Sequence, residues 1–276
     1  MQNSLRTTLS QLAWKLAPVQ MHDRYLLSEK YAEREEDIIG DIVDRSRGSI
    51  DVGANLGRYT ILLARNSDFV IAFEPHAQVA NLLRQLVRRK NFDNVMIVEK
   101  AVSSSPDQTR PFFLPAEGAG NAGHSTLEET GQSGPAAAHV TTTTLDQFCD
   151  RDIGFVKIDV EGHEYDVLLG AEKFIAANAP IFMIEIETLL APDRIRTIQE
   201  FFNKRGYTGY FLHKGALHPI GTFDERLQDR KALDWSRPRR DMDFVNNFLF
   251  APKGPASERL SERVETALTR AMARTS

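Results

Sequence analysis

Residues 49–60 read SIDVGANLGRYT: a short apolar run, Ser49 to Val52, then the loop Gly53-Ala54-Asn55-Leu56-Gly57, then the opening of a helix at Arg58. The two glycines let the main chain approach a ligand closely. A helix start in the same place turns its unpaired N–H groups and positive dipole end toward that ligand. Glu74 closes the next apolar run, Phe69 to Phe73. It follows Gly53 by about 20 residues, the distance at which the second strand of a βαβ unit delivers an acid to a ribose. Asp51 lies in the first strand, where a carboxylate without a partner would be costly. The stretch therefore predicts the first strand, crossover helix and second strand of a parallel α/β sheet, with a nucleoside-type pocket at the turn.

The dinucleotide fingerprint G-x-G-x-x-G is absent, because the loop reads G-x-x-x-G. That disfavours a nicotinamide cofactor and its oxidoreductase chemistry. S-adenosylmethionine fits better, since its methionine carboxylate needs backbone N–H groups and its ribose needs an acceptor. A strand-to-helix turn without any ligand is the plain alternative, and the acids at positions 51 and 74 argue against it.

From this unit, strands and helices alternate along the chain. Helices are expected at 58–64, 77–90, 145–149, 164–177 and 192–204. Further strands are expected at 95–99, 139–144, 155–159, 181–186, 207–212 and 247–251, the last two pairing like a hairpin at one sheet edge. Continuous apolar strands between amphipathic helices predict a doubly wound, mostly parallel, seven-stranded Rossmann-like sheet covered on both faces. Residues 115–138, PAEGAGNAGHSTLEETGQSGPAAA, carry no period and read as a long mobile loop. The organisation expected is an N-terminal helical extension over 1–40, one catalytic domain over 41–253 and a C-terminal helix over 254–276. Leu5, Leu9, Leu12 and Leu16 form a stripe expected to pack on the domain or a second subunit rather than on a membrane. Leu260, Val264, Leu268 and Met272 form a second stripe, for which a homodimer is expected, with packing on the chain's own domain as the rival.

The 276-residue chain has a net charge of −4 and 26% charged residues, which argues against a general nucleic-acid binder. The basic runs at 84–90 and 237–240 read as solvated faces. Cys149 is the only cysteine, so neither an intramolecular disulfide nor a cysteine metal cluster can form. No stretch is apolar enough to span a bilayer and the first residues do not follow a signal-peptide pattern, so a cytoplasmic protein is expected.

The chemistry concentrates at the end of the fourth core strand, VKIDVEGHEYDVLLGA at 156–171, and the fifth, MIEIE at 183–187. Strand ends of such sheets face the ligand crevice, so Asp159, Glu161 and His163 are the candidate catalytic residues. Glu164 and Asp166 are read as favouring the helix N-terminus, and Lys157 as neutralising a neighbouring carboxylate. Should Asp159 and Glu185 converge, their oxygens would suit Mg²⁺ or Ca²⁺, although a metal is not the favoured reading.

SIDVGANLGRYT and AFEP, with TTTLDQF, FVKIDVEGHEYDVLLGA and IFMIEIE, resemble the FkbM-type family of class I S-adenosylmethionine-dependent methyltransferases. The resemblance runs from about Gly48 to Glu187, and its most specific element is KIDVEGHE at 157–164. It implies an O-methyltransferase that acts on a hydroxyl of a sugar, glycan or hydroxylated secondary metabolite. It also implies that Asp51, Gly53, Asn55, Gly57 and Glu74 hold the cofactor, with Ala101, Val102 and Ser103 near the adenine. The family's polar segment before TLD is matched by Asn121, Gly123 and Ser125. For the base that takes the hydroxyl proton, His163 has a suitable unperturbed pKa of about 6.5, and Asp159 is the rival. Glu161 would orient the base or bind the acceptor. An inactive, cofactor-binding partner subunit is the remaining alternative.

Overall fold

The computed structural model describes residues 18–115, 126–128, 133–188, 193–230, 233–234 and 237–275. The leucine stripe at 5–16 and the Asn121, Gly123, Ser125 pattern lie outside them. The described strands are β1 (Gly48–Val52), β2 (Val70–Phe73), β3 (Val95–Val98), β4 (Ala101–Val102), β5 (Thr109–Pro115), β6 (Ser133–Thr143), β7 (Ile153–Ile158), β8 (Ile181–Glu185), β9 (Tyr207–His213), β10 (Ala216–Pro219) and β11 (Asn247–Pro252).

The main sheet runs in the order β10-β9-β11-β8-β7-β1-β2-β3. Strands β3, β2, β1, β7 and β8 are parallel to one another, and β11 enters antiparallel between β8 and β9. The sheet is thus mixed and eight-stranded, where seven strands were expected. The extra strand is β10, which pairs antiparallel with β9. It exists because Lys214 and Gly215 both take positive φ, +48° and +72°. Two such residues in succession make the tight reversal that matches strand twist. The pairing of β9 with β11 is as expected, but it lies one strand inside the edge.

Alternation along the strands splits the core into two layers. Val156, Ile158, Phe182, Ile184, Phe248 and Phe250 point to one side, where they meet Phe174 and Phe202 of the helices Glu172–Asn178 and Arg194–Lys204. Phe202 stacks on Phe250 with ring centroids 4.2 Å apart. Phe155, Met183 and Leu249 point to the other side, against Ile38, Ile39 and Ile42 and the helix Pro255–Thr275. Each fully buried side chain of this size contributes about 1.5–3 kcal/mol of transfer free energy. Leu260 and Val264 are fully buried in this second layer. Leu260 and Val264 of the C-terminal stripe, with Leu268 partly buried beside them, are therefore covered by the chain's own domain, the rival of the homodimer reading. The side chain of Met272 lies outside the described residues.

Two further differences concern local order. The helix expected over 164–177 is two helices, Glu164–Leu169 and Glu172–Asn178, broken where Gly170 lies against the Ser103 carbonyl. Part of the stretch read as a mobile loop is strand: β6 begins at Ser133 and pairs antiparallel with β5, while Thr126 bridges to Phe113. With β4 these strands form a small second sheet in the order β4-β6-β5. The start of β6, SGPAAA, shows no alternation, and the sheet is held by backbone pairing together with a small cluster of Ala101, Phe112, Leu127 and Val140.

Candidate active site

Strand β1 pairs with β2 on one side and β7 on the other, so the sheet order reverses at β1 and a crevice opens beyond the carboxyl ends of these strands. A cleft of about 580 Å³ occupies that position. Gly53, Asn55, Glu74, Ala101, Val102, Asp159 and His163 all line it, so seven of the residues singled out in the sequence meet at one place.

Gly53 has φ +82°, and a Cβ there would collide with the carbonyl oxygen of Asp159. Only glycine allows the loop to lie this close to the end of β7. The Glu74 carboxylate is buried and accepts the Asn55 N–H through Oε2 and the His76 N–H through Oε1, both at 2.8 Å. Burial pushes its pKa up to about 7, against the pull of those two hydrogen bonds. A carboxylate has about four lone-pair sites, so acceptor capacity remains for two hydroxyls.

Three expected cofactor residues stand behind the lining. Asp51 is buried and accepts the Thr60 hydroxyl at 2.6 Å, and burial raises its pKa to about 6. Gly57 caps the helix Arg58–Ala64. Ser103 is buried and its hydroxyl lies 3.0 Å from His163 Nε2.

The opposite lip is β7 and the turn that follows it. His163 is buried, with Nδ1 2.6 Å from Glu128 Oε1 and Nε2 on Ser103, so both ring nitrogens have partners. Glu161 stands in the turn with φ +52° and does not line the cleft. Glu164 accepts the Gly162 N–H at 2.7 Å, and burial raises its pKa to about 7. Asp159 keeps a partly exposed carboxylate whose Oδ2 lies 3.7 Å from Lys157 Nζ. Burial raises its pKa, and Lys157 opposes that rise.

Lys157 is fully buried and joins the expected pair of acids: its ammonium is also 4.0 Å from Glu185 Oε2 and 3.0 Å from Asn247 Oδ1. Arg239 lies 3.1 Å from both Glu33 and Glu185. Asp159 and Glu185 do approach one point, but an ammonium stands between them, where a metal reading would place an ion.

Other lining residues were not singled out from sequence. His76, Phe112, Lys100, Thr126 and Leu127 complete the wall. His76 carried a signal, since it caps the helix Ala77–Arg89 two residues after Glu74. Phe112, Thr126 and Leu127 arrive through the second sheet, whose pairing has no local signature.

A doubly wound sheet with its cleft at the β1 switch point and an antiparallel strand inserted next to β8 is the class I methyltransferase architecture. Residues 51–208 match the family described as methyltransferase FkbM domain, and the chain belongs to that family. Among curated proteins none matches significantly. The structure is similar to the methyltransferase FkbM from Methylobacillus flagellatus KT, at 16% identity and a TM-score of 0.45, covering 75% of this chain and 44% of that one. The chain thus spans less than half the length of that protein. It is also similar to an O-methyltransferase from Bacillus cereus in complex with SAH, at 12% identity and a TM-score of 0.43, covering 88% and 96%. A further similarity is to an rRNA methylase from Streptococcus thermophilus, at 13% identity and a TM-score of 0.44, covering 78% and 91%. No helix among the described residues is long and apolar enough to cross a membrane.

Proposed function

We propose that this chain is an S-adenosylmethionine-dependent O-methyltransferase whose acceptor is a hydroxyl of a sugar, glycan or hydroxylated secondary metabolite. The observation that carries the reading is the cleft itself: Glu74 and the backbone of Gly53 and Asn55 on one lip, and the Asp159 carboxylate on the other. The residues fit the cofactor, since Gly53 leaves room for a close approach and Glu74 retains acceptor capacity. When bound, S-adenosylmethionine supplies an electrophilic methyl on positively charged sulfur.

The chain's own residues then contribute in two ways. Holding the acceptor oxygen in line supplies on the order of 7–11 kcal/mol by removing the entropy of encounter. Accepting its proton adds about 10²–10⁴-fold. Asp159 suits the role of proton acceptor, because it lines the cleft, its carboxylate is partly exposed, and its raised pKa makes it a stronger base. His163, with both ring nitrogens engaged, suits a positioning role that holds Glu128 and Ser103 against the turn. Lys157 fixes Asp159 from below.

Asp159→Asn should lower kcat toward a hydroxylated acceptor panel by about 10²–10⁴-fold with S-adenosylmethionine affinity nearly intact. His163→Gln should cost less. A parent-like rate for Asp159→Asn with a collapsed rate for His163→Gln would move the base to His163. Calorimetry with S-adenosylmethionine, S-adenosylhomocysteine and NAD tests the cofactor. Cofactor binding without methyl transfer to any hydroxyl would favour a partner-subunit role.

A further inference from the structure

At the other end of the sheet, a second cavity of about 570 Å³ opens beside the C-terminal helix. It lies at the starts of β7 and β8 and the end of antiparallel β11, bordered by Gly154, Ile181 and Pro252. The cleft sits beyond the opposite ends of β7 and β1, so the two sites are separate. The floor is apolar, with Ile42 and Leu260, while the walls carry Arg47, Arg259 and Arg263 against one carboxylate, Asp44.

That surplus of positive charge is only partly neutralised. Asp44 spends one oxygen on the Ser46 N–H and hydroxyl, at 3.0 and 2.7 Å. Arg259 and Arg263 sit one helical turn apart on the same face, where like charges disfavour each other. After the Ser46 hydrogen bonds, Arg263 joins Arg47 in lowering the pKa of Asp44. Arg47 is held rigidly: Nε donates to Asp152 at 2.6 Å, and Nη2 donates to the Ile153 and Asn178 carbonyls at 2.7 and 2.9 Å. Those three bonds pair its charge with Asp152 and leave only Nη1 for a ligand, so the charge available at the cavity comes mainly from Arg259 and Arg263. Two exposed guanidiniums of one helix and the remaining Nη1 donor of Arg47 thus border one cavity in a chain whose net charge is −4.

We propose that this cavity binds a phosphate-type dianion, whose oxygens accept from the Arg259 and Arg263 guanidiniums and from Arg47 Nη1 at once. The group could come from a soluble phosphate ester or a phospholipid headgroup, and binding measurements on the full-length chain distinguish the two. Pyrophosphate titrated calorimetrically into that chain should bind saturably, with affinity falling as salt rises. Arg259→Gln/Arg263→Gln, two exposed positions remote from the cleft, should weaken that binding by about 100-fold or more, at roughly tenfold or more per charge-assisted contact. Arg196→Gln, an exposed arginine elsewhere, should leave it unchanged. Co-sedimentation with phosphatidate vesicles, reversed by pyrophosphate, would assign the headgroup; pyrophosphate binding without co-sedimentation would assign a soluble ester. The proposal is overturned if the parent binds neither pyrophosphate nor vesicles, or if the double variant binds as tightly as the parent.

Discussion

The two lips of the cleft handle buried acids in opposite ways. On the β1 and β2 side, Asp51 and Glu74 are held by a hydroxyl and by backbone N–H groups, and burial raises both pKa values, to about 6 and about 7. On the β7 and β8 side, Asp159, Glu185 and Glu33 are interlocked with Lys157 and Arg239. The first lip keeps hydrogen-bonding capacity in reserve for a ligand. The second spends its charges on one another, which fixes the geometry of Asp159. On the proposed function, recognition and positioning are thus divided between two sides of one switch point.

The largest expected effect comes from breaking the interlocked side. Lys157→Met removes a fully buried ammonium, leaving Asp159 without its cation and Glu185 and Glu33 with Arg239 alone. Such a loss typically destabilises by about 3–5 kcal/mol, measurable by urea unfolding. A change below about 1 kcal/mol would mean that the network reorganises freely, and the contrast between the lips would fail.

Glu74→Ala acts on the other lip with the reverse signature. It should weaken S-adenosylmethionine binding by about 10- to 150-fold, because hydrogen bonds to a charged acceptor contribute roughly 1.5–3 kcal/mol. Stability should change little, since relief from removing a buried carboxyl is offset by leaving the Asn55 and His76 N–H groups without their acceptor. Parent-like affinity by calorimetry would sink the assignment of this lip to the cofactor.

A smaller effect should follow from pH. With its folded-state pKa raised from 4.5 to about 7, Glu74 holds its proton in the native protein where the unfolded chain has released it. Its contribution to stability is therefore full below about 4.5 and lost as pH rises through about 7. Accepting ribose hydroxyls favours the ionised form, so cofactor affinity should rise with pH up to about 7, by at most about tenfold per unit, and binding should release a proton. Titrations in buffers of different ionisation enthalpy would show that release, and its absence would mean the carboxyl binds the ribose while protonated.

Local sequence determined much of this protein. The pattern of residues 49–74 set the first βαβ unit and brought Gly53, Asn55 and Glu74 to the cleft, because strand, turn and helix preferences act over a few residues. The same locality placed Asp159 and His163 at a strand end. Tertiary structure decided what these groups do. Lys157 reads as one basic residue in an apolar strand, and only the approach of Glu185, Asn247 and Arg239 from distant positions makes it a keystone. His163 looks like a free base until Glu128 and Ser103 occupy both its nitrogens. The second sheet, which carries Phe112 and Thr126 to the cleft, depends on backbone pairing between β5 and β6, and a hydrogen bond to a strand about 30 residues away leaves no periodic trace in either partner's sequence.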